Sequence, residues 1–131
     1  MKTLRIKYLI VFLMLPYCLF AQSPFAKFFA EGQDAERNGF ASKAIEYYQK
    51  AEKSAQKSFE KNRAWKALAD NYKKQSDYNH AIDYYTKLLS VYNEENRKIV
   101  LLNLSDLWIL TGQYQKVIDN LKNMQEPPDE S

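Results

Sequence analysis

The chain has 131 residues, room for one domain on the usual scale of roughly 100–200 residues each. Apolar residues make up 46% and charged residues 27%, as in ordinary globular proteins, and with 3 glycines and 4 prolines the composition excludes collagen-like and low-complexity architectures. The net charge of +3 comes from Lys2, Arg5 and Lys7, because the other 16 basic residues match the 16 acidic ones, so it is no nucleic-acid footprint.

Residues 1–7 are basic, residues 8–20 form an almost unbroken apolar run, and Ala21 precedes polar Gln22 and Ser23. This is the layout of a secretory signal peptide spanning 1–21, with cleavage expected after Ala21. The 13-residue run contains Pro16 and falls short of the ~20 apolar residues a membrane-spanning helix needs. An uncleaved anchor is the weaker alternative, and no stable membrane span is expected after cleavage. The only cysteine, Cys18, ends the sequence Leu15-Pro16-Tyr17-Cys18, a distant likeness to a bacterial lipoprotein box with Tyr17 at the usual small-residue position. The remaining chain would be periplasmic or secreted and would carry no disulfide and no thiolate metal site.

Between Pro24 and Pro127 there is no proline, and Gly32, Gly39 and Gly112 are the only glycines, which favours helices joined by tight turns. The turns fall at Asn38-Gly39, Ser76-Asp77, residues 93–96 and Thr111-Gly112, with Gly39 and Gly112 suited to a left-handed helix end. Apolar stripes at helical spacing follow them: Ala44, Tyr48, Ala51; Ala81, Tyr85, Leu88; and Val117, Leu121, Met124. The stripes repeat. Ala44, Ala81 and Val117 lie 37 and 36 residues apart, as do Phe28, Trp65 and Leu101 in the preceding segments. Ala35 to Ala44, Tyr72 to Ala81 and Trp108 to Val117 are each nine residues, so three two-helix units keep one internal register.

These residues resemble the tetratricopeptide repeats, whose pattern sets a Trp, a Leu, a small residue and a Tyr on the first helix, then an Ala and an aromatic on the second. The middle unit carries Trp65, Leu68, Ala69, Tyr72, Ala81 and Tyr85; the third carries Leu101, Leu104, Ser105, Trp108, Val117 and Leu121. The first is the most degenerate, with Phe28, Glu31, Gly32, Ala35, Ala44 and Tyr48, and the family's closing proline is missing throughout. The resemblance implies an all-α solenoid of three antiparallel helix hairpins, about six helices, over residues 22–126, with a polar disordered tail at 127–131. The repeat core is then Phe28, Gly32, Ala44, Tyr48, Trp65, Leu68, Ala69, Tyr72, Ala81, Tyr85, Leu101, Leu104, Trp108, Val117 and Leu121. The small residues sit where paired helices approach most closely, and the large ones fill the gaps.

No catalytic arrangement emerges. His80 is the sole histidine and stands beside a turn; no HExxH, phosphate-cradling loop or dinucleotide fingerprint occurs, and the carboxylates are interspersed with lysines as on a solvated helix face. An enzyme, a cofactor and a resident metal are therefore not expected. Lys57, Lys61, Arg63, Lys66, Lys73 and Lys74 are interrupted by Glu60, Asp70 and Asp77, so nucleic acid is not an expected partner either.

The resemblance implies a scaffold that binds a protein or peptide on the concave face lined by first helices. That face would present Phe29, Gln33 and Glu36, then Lys66, Asp70 and Lys73, then Leu102, Asp106 and Ile109. The clamp of lysine, asparagine and arginine with which some relatives hold a peptide's terminal carboxylate is not matched, since the corresponding sites are Phe29, Gln33, Ala67, Ile99 and Asn103. After Met124 the sequence turns polar without forming the helix that often caps such stacks, so Val117, Ile118, Leu121 and Met124 are expected to leave an apolar end open to self-association or a partner. An alternative is a shortened extracytoplasmic sensory module related to repeat-bearing bacterial histidine kinases or regulators, without an output domain.

Overall fold

A computed structural model describes residues 22–125 of the chain. It is all-helical: α1 (Pro24–Arg37), α2 (Ala41–Ser54), α3 (Ser58–Lys74), α4 (Tyr78–Leu89), α5 (Glu94–Leu110) and α6 (Tyr114–Gln125), with no strand among the described residues. The proposed signal segment 1–21 and the tail 127–131 lie outside the described residues.

Local chemistry sets the helix ends. The Ser23 hydroxyl accepts from the Ala26 N–H at 3.1 Å ahead of Pro24, whose fixed φ suits a first turn. Asn93 accepts from the Asn96 N–H at 3.1 Å, and Glu60 reaches back to the Lys57 N–H at 3.2 Å. The three turns inside the hairpins are superimposable in their bonding. Gly39 N–H donates to Glu36 O, Ser76 N–H to Lys73 O and Gly112 N–H to Ile109 O, at 3.0, 3.0 and 3.1 Å. The next residue closes each turn, from Phe40 to Ala35, Asp77 to Tyr72 and Gln113 to Trp108. The central residue is left-handed each time, with φ of 77° at Gly39, 60° at Ser76 and 74° at Gly112. The sequence repeat is thus a backbone repeat.

Connections this short fold each helix back on its predecessor, and the main packing is between helices adjacent in sequence. Contacts also run across units between like helices: Lys74 of α3 bonds Glu36 of α1, and Tyr84 of α4 bonds Glu52 of α2 at 3.1 Å. Two hydrophobic clusters result. Phe25, Phe29, Ala44, Tyr48, Ala51, Ala64 and Leu68 form one, and Ala69, Ala81, Tyr85, Leu88, Val100, Leu104 and Leu107 the other. Helix α2 therefore packs on both α1 and α3, and α4 on both α3 and α5.

Most of the anticipated repeat core is buried, but several members are placed differently. Gly32, Ala44, Tyr48, Leu68, Ala69, Ala81, Tyr85 and Leu104 are buried. Phe28, Trp65, Tyr72, Leu101, Trp108 and Val117 are half-buried, while Leu121 is 53% exposed. On α1 the buried stripe is Phe25, Phe29, Gly32 and Ala35, one step around from Phe28. Leu121 is exposed because nothing among the described residues covers the outer side of α6. Trp65 keeps an edge in water because its indole N–H donates to Glu52 at 2.7 Å, a half-buried acceptor between units.

Candidate binding face

The first helices α1, α3 and α5 line one side of the stack. Along α3, Arg63, Lys66, Ala67, Asp70 and Asn71 recur at helical spacing and so form one stripe. Against it lie Phe29, Gln33 and Glu36 of α1 and Tyr48 of α2, lining an open cavity of about 240 Å³. A second cavity of similar volume shares Phe29, Gln33 and Arg63 with it and extends toward Phe25 and Phe59. Together they make a furrow between α1 and α3.

Five of the nine residues anticipated for this face, Phe29, Gln33, Glu36, Lys66 and Asp70, line the first cavity. Lys73 turns toward α5, where its ammonium meets Asn103 at 3.0 Å and Asp106 at 3.8 Å. Leu102 and Ile109 continue the face as open apolar surface, 66% and 50% exposed. One expectation needs correction: Phe29 is a wall and not an open contact. It is 8% exposed, lies 5.4 Å from the Phe25 ring and 5.2 Å from the Tyr48 ring, and carries the Arg63 guanidinium 4.4 Å above its centroid. Sequence reasoning singled out neither Arg63 nor Asn71 for this furrow; the i, i+3, i+7 relation of Arg63, Lys66 and Asp70 was the available signal.

The electrostatics are of paired charge. Glu36 accepts from the Tyr48 hydroxyl at 2.8 Å and pairs with Lys74. Burial would raise the Glu36 carboxyl, but hydrogen bonds from Lys74, Tyr48 and Asn71, with the Lys74 charge, outweigh it and hold the group below the usual carboxylate range. Asp70 takes the Tyr85 hydroxyl and the Lys66 ammonium, the latter at 2.7 Å. Burial first, then these carboxylate neighbours, pushes the Tyr48 and Tyr85 phenols well above their ordinary range. Asn71 is buried, with Nδ2 on Ala67 O at 2.9 Å and no partner for Oδ1. The result is a furrow with aromatic walls, in which Glu36 and Asp70 are paired with lysines and Arg63 lies over the Phe29 ring.

His80 lies off this face, stacked on Tyr72 at 4.9 Å with Nδ1 2.7 Å from Asp77. Among the described residues no three His, Cys, Asp or Glu side chains converge as a metal site, and no helix is long and apolar enough to cross a membrane. Compared with known proteins, the chain matches no family model and no curated sequence.

Proposed function

We propose that this chain is an exported tetratricopeptide-like scaffold that binds a protein or peptide segment along α1, α3 and α5. The observation that carries the reading is the furrow between the first helices α1 and α3, beside Phe29 and Arg63, with Leu102 and Ile109 exposed on the next first helix, α5. Concave sites with apolar walls and a few placed polar groups are where ligands most often bind. Because Lys66 with Asp70 and Lys73 with Asp106 are already paired, a net charge on the ligand is not what the face selects. It favours an extended segment with apolar side chains toward α5 and polar ones toward α3. The export half of the reading rests on the basic start, short apolar run and Ala21.

The test is to titrate isotope-labelled protein with pools of degenerate ten-residue peptides and follow amide chemical shifts. Shifts clustered on α1, α3 and α5, and lost in a Leu102→Asp, Ile109→Asp variant, are the expected result. Shifts confined to α2, α4 and α6 would refute the reading.

A further inference from the structure

We propose that the outer face of α6 is an interface with a second copy of this chain, packed about a two-fold axis. The argument starts from equivalent positions in the three units. Ile45 is 8% exposed and Ile82 half-buried, but Ile118 is 45% exposed; Tyr48 and Tyr85 are 1% and 2% exposed, but Leu121 is 53%. In the first two units these positions share a hydrophobic cluster with the first helix of the next hairpin, with Ala64 and Leu68 or with Val100 and Leu104, while Tyr48 also rests on Phe29 of its own hairpin. On α6 the same stripe stands open, and Tyr114, 62% exposed, extends it. Tyr114, Ile118 and Leu121 are spaced four and three apart, the seam that one helix offers another.

What fits that seam follows from the rest of the chain. Residues 126–131 read Glu-Pro-Pro-Asp-Glu-Ser and contain no large apolar side chain. The outer stripe of α1 is Lys27, half-buried Glu31 and Asp34, the last paired with Arg37 at 2.7 Å, so head-to-tail stacking would press charged groups onto the apolar seam. The seam's own copy meets neither objection. Laid antiparallel on itself, it sets Ile118 against the second copy's Leu121, and Lys122 beside the second copy's Gln115, so no like charges oppose. Such a contact is isologous and closes at two chains. It leaves the α1 and α3 furrow free and does not depend on the peptide-binding reading.

The experiment is sedimentation with light scattering over a wide concentration range, on the chain with and without residues 1–21. A reversible dimer in both is expected, with self-association weakened at least about tenfold by Ile118→Glu with Leu121→Glu. Both side chains are exposed, so circular dichroism should be unchanged. A Gln115→Cys, Lys122→Cys variant should oxidise to a covalent dimer and stop there. A monomer at every concentration, a dimer indifferent to the double Glu variant, a dimer that needs residues 1–21, or a disulfide ladder of higher oligomers would each overturn the proposal.

Discussion

Gly32 shows how one missing side chain sets the first hairpin. A Cβ there would sit 2.6 and 2.7 Å from two ring carbons of Tyr48, a ring fixed by its bond to Glu36 and by contact with Phe29. Alanine is the better helix former by about 1 kcal/mol, yet overpacking costs about 1–3 kcal/mol, so Gly32→Ala should lower the urea midpoint. The phenols of buried Tyr48 and Tyr85 and half-buried Tyr84 carry a second prediction. Their folded pKa values are raised, so the stability they contribute is complete below the ordinary phenol range and is lost as pH climbs toward the folded values. Phenolate absorbance should therefore rise for these three together with the loss of helical circular dichroism. At the acid end Glu36 works in the opposite sense: its lowered carboxyl stabilises the fold above the usual carboxylate range and ceases to as pH falls through the folded value. Lys74→Met should flatten that acid limb in a denaturation series. The need for a small residue at Gly32 was legible from the repeat. The buried pair Phe25 and Phe29 was not, because three phenylalanines within five residues leave the α1 face ambiguous by one step.

Among the elements, the hairpin turns are the most uniform and carry one irregularity. Gly39 and Gly112 hold the left-handed position without strain, whereas Ser76 has a Cβ that crowds its own backbone there. Ser76→Gly should stabilise the protein by about 1 kcal/mol, read from the shift in guanidinium midpoint. The three hairpin turns could be located in the sequence because punctuation recurred in register with the stripes, whereas the turn expected at 93–96 is the first turn of α5 behind its cap Asn93. Helix α5 was harder to read. Val100, Leu104 and Leu107 are buried while Ile99, Leu102, Ile109 and Leu110 are exposed, so apolar residues run all the way round it and no single face declares itself. The furrow was likewise invisible in any one segment. It arises only when Arg63 of α3 is laid over Phe29 of α1, a relation between units that periodicity within a unit does not encode.

For the whole molecule, burial falls along the stack, from two well-filled clusters to an α6 without a fully buried side chain among those described. Hydrogen exchange should accordingly show α6 opening first and α2 and α3 last, since each unit is held chiefly by its neighbours. Mass spectrometry of chain recovered from an exporting bacterial host should show loss of residues 1–21; an intact apolar run would leave the stack standing and remove its proposed destination. The packing of each helix mainly on those next to it in sequence has a kinetic side. Low contact order places a helical protein in the microsecond-to-millisecond range for reaching its native state. Assembly can also proceed in order of emergence: once α2 is clear of whatever pore releases the polypeptide, Phe25 and Phe29 can collapse on Tyr48 before α5 has appeared. The aromatic-rich opening hairpin would then serve as the seed on which the later, leaner ones condense.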